Sequence, residues 1–75
     1  LRFERNAEYY YRRFEQFADN YQYFDALVNI RMALQKDPDN QDYQLSMAEI
    51  LTEMGNYEDS NALLFPLFYQ KKINE

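Results

Sequence analysis

Neither cysteine nor histidine occurs in the 75 residues. Their absence excludes disulfides and thiolate–zinc staples, and with them an imidazole base, a thiol nucleophile and an ordinary transition-metal site. Most enzyme classes thereby lose their usual machinery. Basic charge is scarce, with 8 Lys and Arg against 13 Asp and Glu, and the net charge of −5 sets the chain against nucleic acid and anionic membrane surfaces as partners. One glycine and two prolines argue against a turn-rich all-β chain, while a hydrophobic content of 47% argues against disorder. No run approaches the roughly 18 apolar residues of a membrane span, and nothing resembles a signal peptide. The cytoplasm is therefore the default expectation, and a start at Leu1 rather than Met is compatible with a segment cut from a longer chain. Tryptophan is absent too, yet eight Tyr and six Phe make the chain 19% aromatic, much contact surface for its length.

That surface is arranged in helical stripes. Phe3, Ala7, Tyr10, Phe14, Phe17 and Tyr21 recur at steps of three and four, which predicts a helix over about 3–19. The stripe breaks at Asn20 to Gln22, and Phe24, Leu27, Val28, Ile30 and Leu34 predict a second helix over about 23–36. Pro38 ends it, because the residue before a proline is pushed out of the α region, and Asn40 can cap a third helix over about 41–54. Gly55 can take the positive φ of a helix C-terminus, and Asn56 can cap a fourth helix from about Tyr57. Connections this short predict two antiparallel helical hairpins in one all-α domain over 1–75. The fourth helix carries a conflict: Pro66 removes a hydrogen bond within an all-round apolar run, so a kink or restart is expected there.

Sliding the chain against itself by an offset of 34 superposes Asn6 on Asn40, Glu15 on Glu49, Tyr23 on Tyr57 and Asp25 on Asp59. It also pairs Phe17 with Leu51, Ala26 with Ser60, Ile30 with Leu64 and Leu34 with Phe68. Ala26, Ala33, Ala48 and Ser60 are expected as close-approach points between helices, with Phe17, Ile30, Leu34, Leu51 and Leu64 filling the seam. Two helices in each such period is the tetratricopeptide pattern. Within it, Tyr10-x2-Arg13-Phe14-x2-Phe17, then Tyr23, Ala26, Ile30, Ala33 and Pro38, resemble the motif of that family, as do Met47, Ala48, Leu51, Gly55, Tyr57, Ser60 and Leu64. The resemblance spans units 7–40 and 41–75 and departs at Arg13, Phe14 and Gln44, which replace an aliphatic, a small and an aromatic residue. It implies a stacked pair of hairpins and a non-enzymatic protein-interaction module without cofactor or metal.

The resemblance also implies that the first helix of each unit lines a concave groove, whose walls would then be Glu8, Tyr11, Glu15 and Asp19 in one unit and Asp42, Leu45, Glu49 and Glu53 in the other. A groove of that kind suits a basic or mixed basic–apolar peptide or helix. The family's clamp for a C-terminal carboxylate is absent, since its positions hold Tyr11, Glu15 and Ser46. The plainer reading keeps Glu8 paired with Arg12 and the other carboxylates as a solvated face. Carboxylates one turn apart, such as Glu15 with Asp19, are routine on such a face and are no case for acid–base catalysis. Likewise Asp37-x-Asp39-x-Gln41 begins like a calcium loop but lacks its Gly and final Glu. An alternative function is assembly: Leu63, Phe65, Leu67, Phe68 and Tyr69 offer a self-association surface for a homodimer, or a face to be covered in a longer repeat array.

Overall fold

Asparagine begins the first and third helices in the same way. In the computed structural model, which describes residues 5–74 and the side chains from Arg5 to Tyr69, the Asn6 backbone is extended and its Oδ1 accepts a hydrogen bond from the Tyr9 N–H at 3.0 Å. Asn40 accepts one from the Tyr43 N–H, also at 3.0 Å. Each bond satisfies one of the unpaired N–H groups of a helix start, and Glu8 and Asp42 add negative charge in the first turns. The helices are α1 (Ala7–Asp19), α2 (Tyr23–Lys36), α3 (Gln41–Glu53) and α4 (Tyr57–Asn74). The sequence spacing predicts a first helix from residue 3, but the Asn6 cap delays its start to Ala7; residues 3 and 4 lie outside the described residues. Helices α1 and α3 start at Ala7 and Gln41, and α2 and α4 at Tyr23 and Tyr57. Both pairs keep the offset of the sequence, so the sequence repeat is a repeat of structure.

The turns repeat as well. The Gln22 N–H reaches the Phe17 carbonyl at 2.9 Å and the Tyr21 N–H the Ala18 carbonyl at 3.0 Å; at the equivalent turn of the second unit, Asn56 bonds Leu51 at 2.8 Å and Gly55 bonds Thr52 at 2.9 Å. This double closure is the Schellman arrangement, and it needs a left-handed residue just past the helix. Gly55 supplies it at φ +80°, whereas the first unit forces Tyr21 into the same role at φ +59°. For an L-residue that conformation costs roughly 1–2 kcal/mol, against about 0.5–1 kcal/mol of extra chain entropy lost by a glycine. Tyr21→Gly is therefore expected to raise the urea midpoint, by about 0.5–1 kcal/mol of stability. Gly55→Ala should lower it by about 1 kcal/mol, since open space around its Cβ position leaves only the backbone strain. A lowered midpoint for Tyr21→Gly would mean that the edge-on ring contact of Tyr21 with Tyr23, at 6.2 Å, outweighs the strain.

Consecutive helices pack together. Links of three or four residues span at most about 10–14 Å, too short to carry the chain back along a helix such as α1, 13 residues and about 20 Å long, so each packed neighbour must run antiparallel. The described residues thus form an all-α stack of two hairpins, with no strand. Its core joins Phe14 of α1, Ala26, Leu27, Ile30 and Ala33 of α2, and Ile50 and Leu51 of α3. The small residues expected at close approaches, Ala26, Ala33, Ala48 and Ser60, are all buried. Ser60 keeps its hydroxyl satisfied there: Ser60 Oγ and Thr52 Oγ1 each lie 2.9 Å from the Ala48 carbonyl oxygen and 2.7 Å from one another. Two hydroxyl protons serve these three contacts, so two are hydrogen bonds at any instant.

Of the two outcomes expected at Pro66, the restart does not occur: α4 runs through it as one helix. Ala62 and Pro66 are both exposed, so the carbonyl left without its N–H donor lies where water can replace it, while Ser60 is buried and Leu63 packs against the core.

Candidate functional site

Parallel placement of α1 and α3 follows from two successive antiparallel steps, and it brings their repeated carboxylates side by side. The seam between them is aromatic. The Tyr11 ring stacks on Tyr43 with centroids 4.7 Å apart and on Phe14 at 5.5 Å, and its hydroxyl meets the Ser46 hydroxyl at 3.0 Å. Above this floor opens a cleft of about 520 Å³, walled by Glu15 and Asp19 from α1 and by Glu49 and Glu53 from α3. Tyr21 and Tyr23 close the end at the first turn, and among the described residues no Lys or Arg lines it.

Of the eight residues expected on the groove, five line this cleft: Tyr11, Glu15, Asp19, Glu49 and Glu53. The other three do not. Glu8 is taken up by Arg12, whose Nη2 lies 2.7 Å and Nε 3.2 Å from Glu8 Oε1 on the solvated face, and this bond followed by its charge raises the Arg12 pKa. Asp42 sits exposed in the first turn of α3. Leu45 lines a second hollow of about 220 Å³, with Ala48, Thr52 and Leu64, which shares Glu49 and Glu53 with the cleft. Tyr11 differs from expectation in kind: its ring is engaged by Tyr43 and Phe14, which makes it part of the floor.

Sequence reasoning missed Tyr21 and Tyr23. The signal was the offset itself: Tyr21 stands one repeat before Gly55, so a large side chain occupies a position that the backbone reserves for glycine. The Tyr23 hydroxyl donates to Glu53 Oε2 at 3.4 Å, linking the start of α2 to the end of α3. Desolvation, then the Glu53 charge, pushes the Tyr23 phenol above its ordinary value, so it remains a neutral donor at physiological pH. Tyr43 is pushed up likewise, first by desolvation and then by Asp37 and Glu8.

On the fourth helix, Leu63 packs against the core and Leu67 is half-buried, while Phe65, Phe68 and Tyr69 stand exposed. Among the described residues no group of three or more acidic side chains is placed to hold a metal ion, and no helix is long and apolar enough to cross a membrane. Compared with known proteins, the chain matches no family model, no curated protein and no solved structure.

Proposed function

We propose that the chain is a non-enzymatic interaction module of two tetratricopeptide-like units, and that the cleft between α1 and α3 receives a basic or mixed basic–apolar peptide or helix of a partner protein. The observation that carries this reading is the convergence of Glu15 and Asp19 with their repeat mates Glu49 and Glu53 around a tyrosine floor, without a basic residue among them. Carboxylate pairs would hold Lys or Arg heads while the rings take the stems and apolar side chains. The strained Tyr21 supports the reading, because a backbone conformation that favours glycine is kept with a ring at the mouth of the cleft. Identical first-turn caps and identical Schellman closures, recurring from one unit to the next, support the family assignment.

A peptide alternating Lys with Leu is a suitable probe. Glu15→Lys together with Glu49→Lys is expected to weaken its binding at least tenfold, since like charges brought together at an interface cost several kcal/mol. The melting temperature should move little, because both side chains are exposed. Rising salt should weaken the wild-type complex in the same sense. Affinity unchanged in both tests would reduce the carboxylates to a solvated face, and the Phe65→Glu variant serves as a control for peptide captured by α4 instead.

A further inference from the structure

We propose that the chain pairs with a second copy through α4, antiparallel about a two-fold axis near Phe65, the partner's α4 taking on α4 the seat that α3 takes on α2. The seat is legible from the repeat. The α2 face that includes buried Leu27 and Ile30 and half-buried Leu34 corresponds, one repeat on, to Asn61, Leu64 and Phe68. Those three, with Phe65 and Tyr69, line an open apolar groove of about 540 Å³. Phe65 is 73% exposed and Phe68 76%, and the Phe65 and Tyr69 rings lie stacked 6.4 Å apart in water. The hollow beside α3 tells the same story: Leu45, Ala48, Glu49, Thr52 and Glu53 repeat, residue for residue, the α1 wall of the acidic cleft, but apart from Leu64 of α4 no further helix walls it among the described residues.

A head-to-tail partner, offering α1 to this seat, is excluded by chemistry. Where α3 presents Ser46, Met47 and Ile50, α1 carries Arg12, Arg13 and Gln16, all exposed. The Arg13 guanidinium covers the Phe17 and Tyr9 rings at 5.3 and 5.9 Å, and Arg5 adds to the cover at 4.9 Å from Tyr9. That end of the stack is closed by a polar face, as terminal repeats require, and the α4 end is not.

Charge selects the antiparallel pair. Glu58 and Asp59 stand seven and six residues before Phe65 in the sequence, and Lys71 and Lys72 six and seven after it. A two-fold axis at Phe65 therefore sets the acidic end of each α4 against the basic end of its partner, about 10 Å from the axis at 1.5 Å per residue. A parallel pair would set like charges together at both ends.

Sedimentation equilibrium of the intact chain over a range of concentrations tests the pairing. The wild type should dimerise, and Phe65→Glu and Phe68→Glu should each weaken the dimer at least tenfold, because each truncates a central apolar anchor twice across the axis. Both positions are exposed within the protomer, so helicity should persist. Lys71→Glu with Lys72→Glu should weaken it roughly threefold to tenfold, and adding Glu58→Lys with Asp59→Lys should restore it. A monomer at high micromolar concentration, a dimer indifferent to Phe65→Glu, or a failure of the charge swap to restore pairing would each overturn the proposal.

Discussion

Ile30→Ala is expected to remove roughly half of the stability of this protein. The side chain is 0% exposed and belongs to the cluster that joins α1, α2 and α3. Truncating a buried isoleucine to alanine typically costs about 2–5 kcal/mol, the transfer term adding to the cavity left behind. A chain of 75 residues has only about 4–11 kcal/mol to lose, at roughly 0.05–0.15 kcal/mol per residue. The neighbouring Ala26 and Ala33 are too small to relax into the gap. Val28, two residues earlier on the same helix, is the control: it is exposed, so Val28→Ala should stay within about 0.5 kcal/mol. Urea unfolding at fixed chain concentration reads both. Equal costs at the two positions would mean that Ile30 does not anchor the hairpins to each other.

Ala26→Leu should act in the opposite sense on volume and in the same sense on stability. Leucine is nearly as good a helix former as alanine, so the local cost is small and what is measured is packing. At a fully buried contact point the added carbons force the helices apart or the side chain off its rotamer, at about 1–3 kcal/mol. The repeat supplies the comparison, because Ser60 occupies the equivalent place with 1% exposure. Ser60→Ala keeps the volume and leaves Thr52 bonded to the Ala48 carbonyl, so it should cost no more than about 1 kcal/mol. An unchanged urea midpoint for Ala26→Leu would show that α2 does not approach its neighbours closely there.

The sequence alone determined the helices, their caps and their period, because each depends on residues within a turn or two of one another. Asn40 bonds a donor three residues away and the chain after α3 needs its positive φ at Gly55. The apolar stripe of α2 was legible in part, since Leu27 and Ile30 are buried while Phe24 and Val28 are exposed, and the first helix starts at its Asn6 cap and not at residue 3. Small residues at Ala26, Ala33, Ala48 and Ser60 likewise announced where helices meet. At Pro66 the local cost was legible and the exposure was not: a carbonyl freed on the exposed side of α4 is open to water, and the helix continues without a restart. The cleft belonged to the tertiary structure. Glu8 and Glu15 look alike as members of an acidic stripe, yet the first is neutralised by Arg12 one turn away and the second faces Glu49 across a seam set by the stacking of Tyr11 on Tyr43. Leu45, equivalent to Tyr11 by the repeat, falls outside because no third α1-like helix stands beside it among the described residues. Periodicity places a side chain on a face of its own helix; which faces converge is decided by the packing of separate helices, and that is non-local.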